Sequence, residues 1–171
     1  MPDFPRRVSN DTNIADIVFR SSNVLKQLKN LKVNSSAGSD GIKPIFYKNL
    51  AHCLADPLAS MFNTFLEANF VPKGWLTAHV KPLFKKGVCS DCNNYRSISL
   101  TCVLCRVMER LIATDMLFYL RNNNLITKHQ HGFLSRHSTC TQVIETINDW
   151  SIVFENKFSV DSAYTRFCKG I

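Results

Sequence analysis

A chain of 171 residues with 45% apolar and 20% charged side chains can bury a core as one domain or a large part of one, which excludes a disordered tract. Lys and Arg number 21 against 13 Asp and Glu, a net charge of +8 that points to a polyanionic partner such as nucleic acid. No apolar run approaches the roughly 18 residues of a membrane span, and MPDFPRRVSN has no signal-peptide core, so the chain is expected in the cytoplasm or nucleus with no membrane partner.

Residues 1–13 are polar, hold two prolines and read as a loose arm, leaving 14–171 as the folded part. Ser21-Ser22 is a candidate N-cap for a helix over about 22–32, with Val24, Leu25, Leu28 and Leu31 at helical spacing. Asn34 to Gly41 is a dense loop signal, and Pro44 suits the first turn of a helix holding Ile45, Phe46 and Leu50. Asp56-Pro57 reads as the cap and first residue of another helix, whose buried stripe is Leu58, Met61, Phe62, Phe65 and Leu66. Val71-Pro72-Lys73-Gly74 ends this helical region at Trp75.

Ala78 to Phe84 then reads as a strand, Lys85-Lys86-Gly87 as a turn, and Tyr95-Arg96 as the start of a return strand. Thr101 is placed to cap a helix of about 102–122 with Val103, Val107, Leu111, Leu117 and Leu120 on its apolar face. Gln130-His131-Gly132-Phe133 is a tight turn. Ser138 begins a helix to about 156 with Val143, Ile144, Ile147 and Trp150 inward, and Phe158 to Phe167 reads as a strand. Helices packed on an antiparallel hairpin and a terminal strand make an α+β fold. The last strand has only the hairpin as a neighbour, the pattern expected of a fold cut short.

Two constellations invite a metal. Cys89-x-x-Cys92 and Cys102-x-x-Cys105 have the form of zinc-binding pairs, but the segment between them is short for a zinc ribbon and the second pair falls on a helix. His129, His131 and His137 near Cys140 have loop spacing. No metal and no cofactor is expected for this chain, and the seven cysteines are expected as free thiols. The basic residues Lys81, Lys85, Lys86 and Arg96, interleaved with Phe84 and Tyr95, form either a phosphate-binding device with stacking surfaces or an ordinary solvated basic face.

Four ordered stretches resemble the reverse transcriptase domain of non-LTR, jockey-like retrotransposons over about residues 17–169. Asn34 to Ile42 is similar to K-S-x-G-P-D-G-I with Ser39 for proline. Val80 to Gly87 is similar to V-x-P-I-F-K-K-G, Tyr95 to Thr101 to Y-R-P-I-S-L-T with Ser97 for proline, and Gln130 to Phe133 with Ser138-Thr139 to Q-H-G-F…S-T. The resemblance implies an incomplete right-hand polymerase, with fingers over about 14–137 and the start of the palm over about 138–171. It implies that Lys86 (or Lys85) and Arg96 bind the triphosphate of a dNTP, and that Lys81, Tyr95, Gln130, His131 and Ser138 lie along an RNA or DNA template-primer.

Polymerisation needs carboxylate-held metal ions, Mg²⁺ in the intact family. Where the family has A-Y-I-D-F-x-K-A-F-D, this chain reads Ala163-Tyr164-Thr165-Arg166-Phe167-Cys168-Lys169-Gly170-Ile171, with Arg166 at the place of the first aspartate. A guanidinium repels a cation. The chain has no Asp-Asp pair for the second metal motif, and Asp161 differs from position 166 by an odd number, so an unbroken strand sends the two to opposite faces. The expectation is a truncated RNA-directed DNA polymerase without catalytic residues, inactive alone. The alternatives are a decoy or interaction protein that binds nucleic acid or the rest of a reverse transcriptase, and an unstable pseudogene product.

Overall fold

A computed structural model describes residues 17–163. These fall into two compact units, one ending at Asn123 and one beginning at Asn124. The first holds α1 (Ser21–Lys29), α2 (Pro44–Asn49), α3 (Ala51–Glu67), β1 (His79–Phe84), β2 (Tyr95–Leu100) and α4 (Val103–Asn122); the second holds α5 (Thr139–Glu155). Helices with a two-stranded antiparallel sheet confirm the α+β class.

The core of the first unit is helical. Val24 and Leu28 of α1 are fully buried against Phe62 of α3 and Val103 and Val107 of α4. Burial of a side chain of this size stabilises by about 1.5–3 kcal/mol. Phe19, just before α1, stacks edge-on against Phe62 at 5.5 Å. Its backbone is held at both ends by the Asn63 amide, N–H to Oδ1 at 2.8 Å and Nδ2 to the carbonyl at 3.0 Å. Trp75 closes the far side, edge-on to Phe62 at 6.1 Å and to Phe65 at 5.6 Å.

Three boundaries differ from the sequence reading. Arg20, in extended conformation and without a side-chain cap bond, precedes α1 in place of the expected serines. Cys102 replaces Thr101 as the cap of α4, its Sγ accepting from the Cys105 N–H at 3.4 Å. The largest difference is α3, which begins at Ala51 and carries Pro57 inside it rather than at its start. Ala51, Ala55, Leu58, Ala59 and Phe62 form one buried stripe at helical spacing, and burying all of it outweighs the bond lost at Pro57. Cys53, whose carbonyl loses its donor, is exposed to water together with Pro57.

In the second unit Ser138 caps α5 as expected, with a reciprocal box: the Thr141 N–H donates to Ser138 Oγ at 3.2 Å and the Ser138 N–H to Thr141 Oγ1 at 2.9 Å. Val143, Ile144 and Ile147, expected inward, are instead exposed. The helix face that is engaged within the unit is the polar one bearing Thr141 and Glu145. No strand forms from Phe158 to Ala163, since a strand needs a hydrogen-bonded neighbour; the rest of that expected strand, with Arg166, lies outside the described residues. Among the described residues no helix is long and apolar enough to cross a membrane.

Gly38 ties the loop before α2 to the start of α4. A Cβ on Gly38 would come to 2.3 Å from Cys102 Cα and 2.4 Å from the Thr101 carbonyl oxygen, both backbone atoms that cannot swing aside. Gly38→Ala is therefore expected to destabilise the chain by about 1–3 kcal/mol. Gly74→Ala, where nothing lies within 4 Å, leaves the denaturation midpoint unchanged. Equal midpoints for the two variants in urea unfolding would contradict this packing.

Candidate nucleotide and nucleic-acid interface

The hairpin is an exposed antiparallel ladder on which His79 faces Leu100, Lys81 faces Ile98, Leu83 faces Arg96 and Phe84 faces Tyr95. An isolated two-stranded ribbon is marginal in water, so its position depends on its ends. At the root, Ser39 Oγ bonds to the carbonyls of Gly74 and Thr77 at 3.4 and 3.3 Å, and Arg106 of α4 donates Nη2–H to the Ser36 carbonyl at 2.8 Å. The loop of residues 34–42 thereby links the segment entering β1 with the helix leaving β2.

The tip is built on a left-handed Gly87, at φ +97°. Asn94 fills the space beside it, its Nδ2 donating to the Val88 carbonyl at 3.0 Å. The Lys85 N–H donates to the Asn94 carbonyl at 2.7 Å and continues the ladder by one rung. Asp91 accepts from the Asn93 N–H at 2.9 Å, and Tyr95 OH donates to the Cys89 carbonyl at 2.9 Å.

Two-residue alternation sorts the expected site residues. Lys81, Leu83 and Arg96 share one face, and Lys85 follows on it beyond the ladder. Lys81 and Arg96 are diagonal neighbours, a relation that separates such residues by about 7–8 Å. Tyr95 lies on the opposite face, edge-on to Phe84 at 5.4 Å. Lys86 is exposed in the turn itself. The structure thus brings Lys81, Lys85 and Arg96 together and sets Tyr95 apart from them.

Gln130, His131 and Ser138 belong to the second unit. Gln130 is exposed; Ser138 is occupied as the cap of α5. His131 is buried, with Nδ1 at 2.8 Å from Thr141 Oγ1 and Nε2 at 2.5 Å from Glu145 Oε2. Glu145 Oε1 also meets His129 Nδ1 at 2.7 Å, and the His137 ring stacks edge-on to His131 at 5.0 Å. Glu145 and Thr141 are the residues of this cluster that sequence reasoning missed, because a lone carboxylate or hydroxyl on a helix gives no signal until the turn before the helix folds back.

The buried thiols are engaged locally. Burial, reinforced by a hydrogen bond to Glu109 Oε1 at 3.3 Å, pushes the Cys105 thiol up to about 12, and burial likewise raises Cys102. Among the described residues no three His, Cys, Asp or Glu side chains converge to hold a metal. The position at which the resemblance places a metal-binding aspartate, Arg166, lies outside the described residues.

The bond from His131, then that from His129, holds the Glu145 carboxyl below its ordinary range. A depressed carboxylate stabilises the fold above its unfolded value, and that stability is lost as pH falls through the folded one. Amide exchange over residues 129–138 is expected to speed up as pH drops below about 4 after correction for intrinsic rates. Glu145→Gln should abolish that acid limb; an unchanged acid limb in the variant would exclude the carboxylate as its source.

No protein-family model matches the chain. It is 31% identical over 126 residues to the probable RNA-directed DNA polymerase from transposon BS of Drosophila melanogaster, covering 73% of this chain and 14% of that protein. It is 30% identical over 142 residues to the RNA-directed DNA polymerase from mobile element jockey of the same species, covering 80% and 16%. With the probable RNA-directed DNA polymerase from transposon X-element the identity is 23% over 163 residues, 95% and 17%. The chain spans between 14% and 17% of the length of these three relatives. By sequence it is a homologue of one segment of the RNA-directed DNA polymerases of Drosophila jockey-like non-LTR elements, and it belongs with them as a partial reverse transcriptase domain.

Proposed function

We propose that this chain is the fingers and the start of the palm of a jockey-like RNA-directed DNA polymerase, with fingers over about 14–137 and palm from about 138. Its own residues bind nucleotide phosphates and template-primer rather than carry out the chemistry. The observation that supports this best is the register of the hairpin, which collects Lys81, Lys85 and Arg96 on one exposed face with Lys86 in the adjoining turn. Such a face suits a triphosphate or a strand backbone: an arginine fork takes two phosphate oxygens and a lysine adds a mobile point charge. Phe84 and Tyr95 on the other face offer rings on which a base or sugar can lie. The partners that follow are dNTP and an RNA or DNA template-primer, met in the cytoplasm or nucleus.

Phosphate-driven binding releases counterions, so affinity for a short single-stranded RNA should fall steadily as salt rises. Lys85→Gln, Lys86→Gln and Arg96→Gln should each weaken binding and lower the slope of log K against log salt by about 1. Binding that is insensitive to salt, or slopes that match wild type in all three variants, would overturn the assignment.

In the same reading the chain alone does not polymerise, because Arg166 stands where the family places its first metal-binding aspartate and no Asp-Asp pair occurs in the sequence. Primer extension by the purified 171-residue chain with Mg²⁺ or Mn²⁺ is expected to give no templated product; templated incorporation would contradict it.

A second reading, an interaction module that binds the rest of a reverse transcriptase, is favoured by one observation. Val143, Ile147 and Phe154 of α5 are 54%, 54% and 60% exposed and recur on one helical face. Val143→Asp with Ile147→Asp is expected to abolish co-purification with a separately expressed jockey-like polymerase, and undiminished recovery would exclude this face.

A further inference from the structure

Away from the hairpin, the first unit contains a cavity of about 230 Å³ between the end of α1, the start of α2 and the N-terminal half of α4. Val103 and Val107 supply apolar wall, and Lys32, Arg106 and Arg110 supply three cationic groups. No carboxylate lines it. Arg106 and Arg110 are one helical turn apart on α4, a like-charge spacing that is unfavourable unless an anion lies between them.

Arg106 is held in place from the loop side. Its Nη2 is committed to the Ser36 carbonyl at 2.8 Å. Its Nε is buried and is the one buried side-chain polar atom among the described residues with no hydrogen-bond partner. A buried guanidinium donor left unsatisfied is costly. Among the described residues no ion pair engages Lys32, Arg106 or Arg110.

We infer that this cavity is an anion site for a phosphate group, with Lys32, Arg106 and Arg110 as its cationic wall. The hydroxyl of Ser35 also lines it, although it donates to the Lys32 carbonyl at 2.8 Å and so offers the ligand only acceptor capacity. Size limits the ligand. Pockets for drug-sized molecules run to about 300–1,000 Å³, so this one is of a size for a phosphate or pyrophosphate group. The group is either free pyrophosphate or one phosphate of a bound strand. The site shares no residue with the hairpin and stands whether or not the hairpin binds nucleotides.

The test titrates pyrophosphate, and separately a short single-stranded RNA, into the 171-residue chain by calorimetry at constant ionic strength. With the hairpin's own phosphate contacts removed by Lys85→Gln and Lys86→Gln, the chain is expected to bind pyrophosphate saturably at one site. Arg106→Gln and the double variant Lys32→Gln with Arg110→Gln should each weaken it about tenfold or more, the loss of one charge-assisted bond. Lys128→Gln, an exposed lysine in neither the pocket nor the hairpin, should leave pyrophosphate affinity unchanged. The Lys32/Arg110 variant keeps the Arg106 bond to Ser36, so a thermal melt matching wild type separates lost binding from lost folding, and Lys32→Gln alone serves if the double variant melts early. If the pocket variants also lose RNA affinity and pyrophosphate competes with RNA, the group is a strand phosphate; if RNA affinity is unaffected, it is free pyrophosphate. Absent pyrophosphate binding in that background, or binding undiminished in both pocket variants, overturns the site.

Discussion

The close approach of Gly38 to the backbone of Thr101 and Cys102 is the constraint on which the rest of the first unit depends. It is a place where only a residue without a side chain fits, and it joins two stretches more than sixty residues apart. Around it, Ser39 bonds to the root of β1 and Arg106 bonds to Ser36, so one loop holds the chain entering the hairpin and the helix leaving it. A ribbon exposed on both faces gains little from its own ladder. Its direction comes from these anchors and from the Phe62, Phe65 and Trp75 cluster beneath its entry.

Three of the four stretches that resemble jockey-like polymerases come together in this arrangement, although they are far apart in sequence. The 34–42 loop, the hairpin strands and the start of α4 are one mechanical assembly. Within it the two-residue alternation of the strands separates side chains: Lys81, Lys85 and Arg96 on one face and the rings of Phe84 and Tyr95 on the other. The phosphate-binding role proposed for the hairpin needs cations on one face, and Lys81, Lys85 and Arg96 share one without being buried.

Much of this was legible in the sequence, for identifiable reasons. The hairpin followed from the Lys85-Lys86-Gly87 turn between two short runs, and α5 from Ser138, whose capping box is a purely local signal. The start of α3 was not legible, because Asp56-Pro57 is a strong local cap signal, and only the buried stripe from Ala51 to Phe62 outweighs it. The outward turn of Val143, Ile144 and Ile147 was also hidden: apolar periodicity reports which face of a helix is apolar, and not whether anything in its own unit covers it. His131 was legible as a residue of interest, whereas its tie to Glu145 depends on a turn that folds back onto α5. Arg106 gave no signal at all, since its unsatisfied Nε exists only once α1, α2 and α4 have closed around it.

The central claim is that the basic face of the hairpin is where this chain meets nucleic acid. Photocrosslinking of a 4-thiouridine-substituted RNA to the 171-residue chain, with the adducts mapped by peptide mass, tests it most directly. The account predicts adducts concentrated between His79 and Leu100 and suppressed by competing unlabelled RNA. Specific adducts confined to other segments, with none on the hairpin, would contradict it.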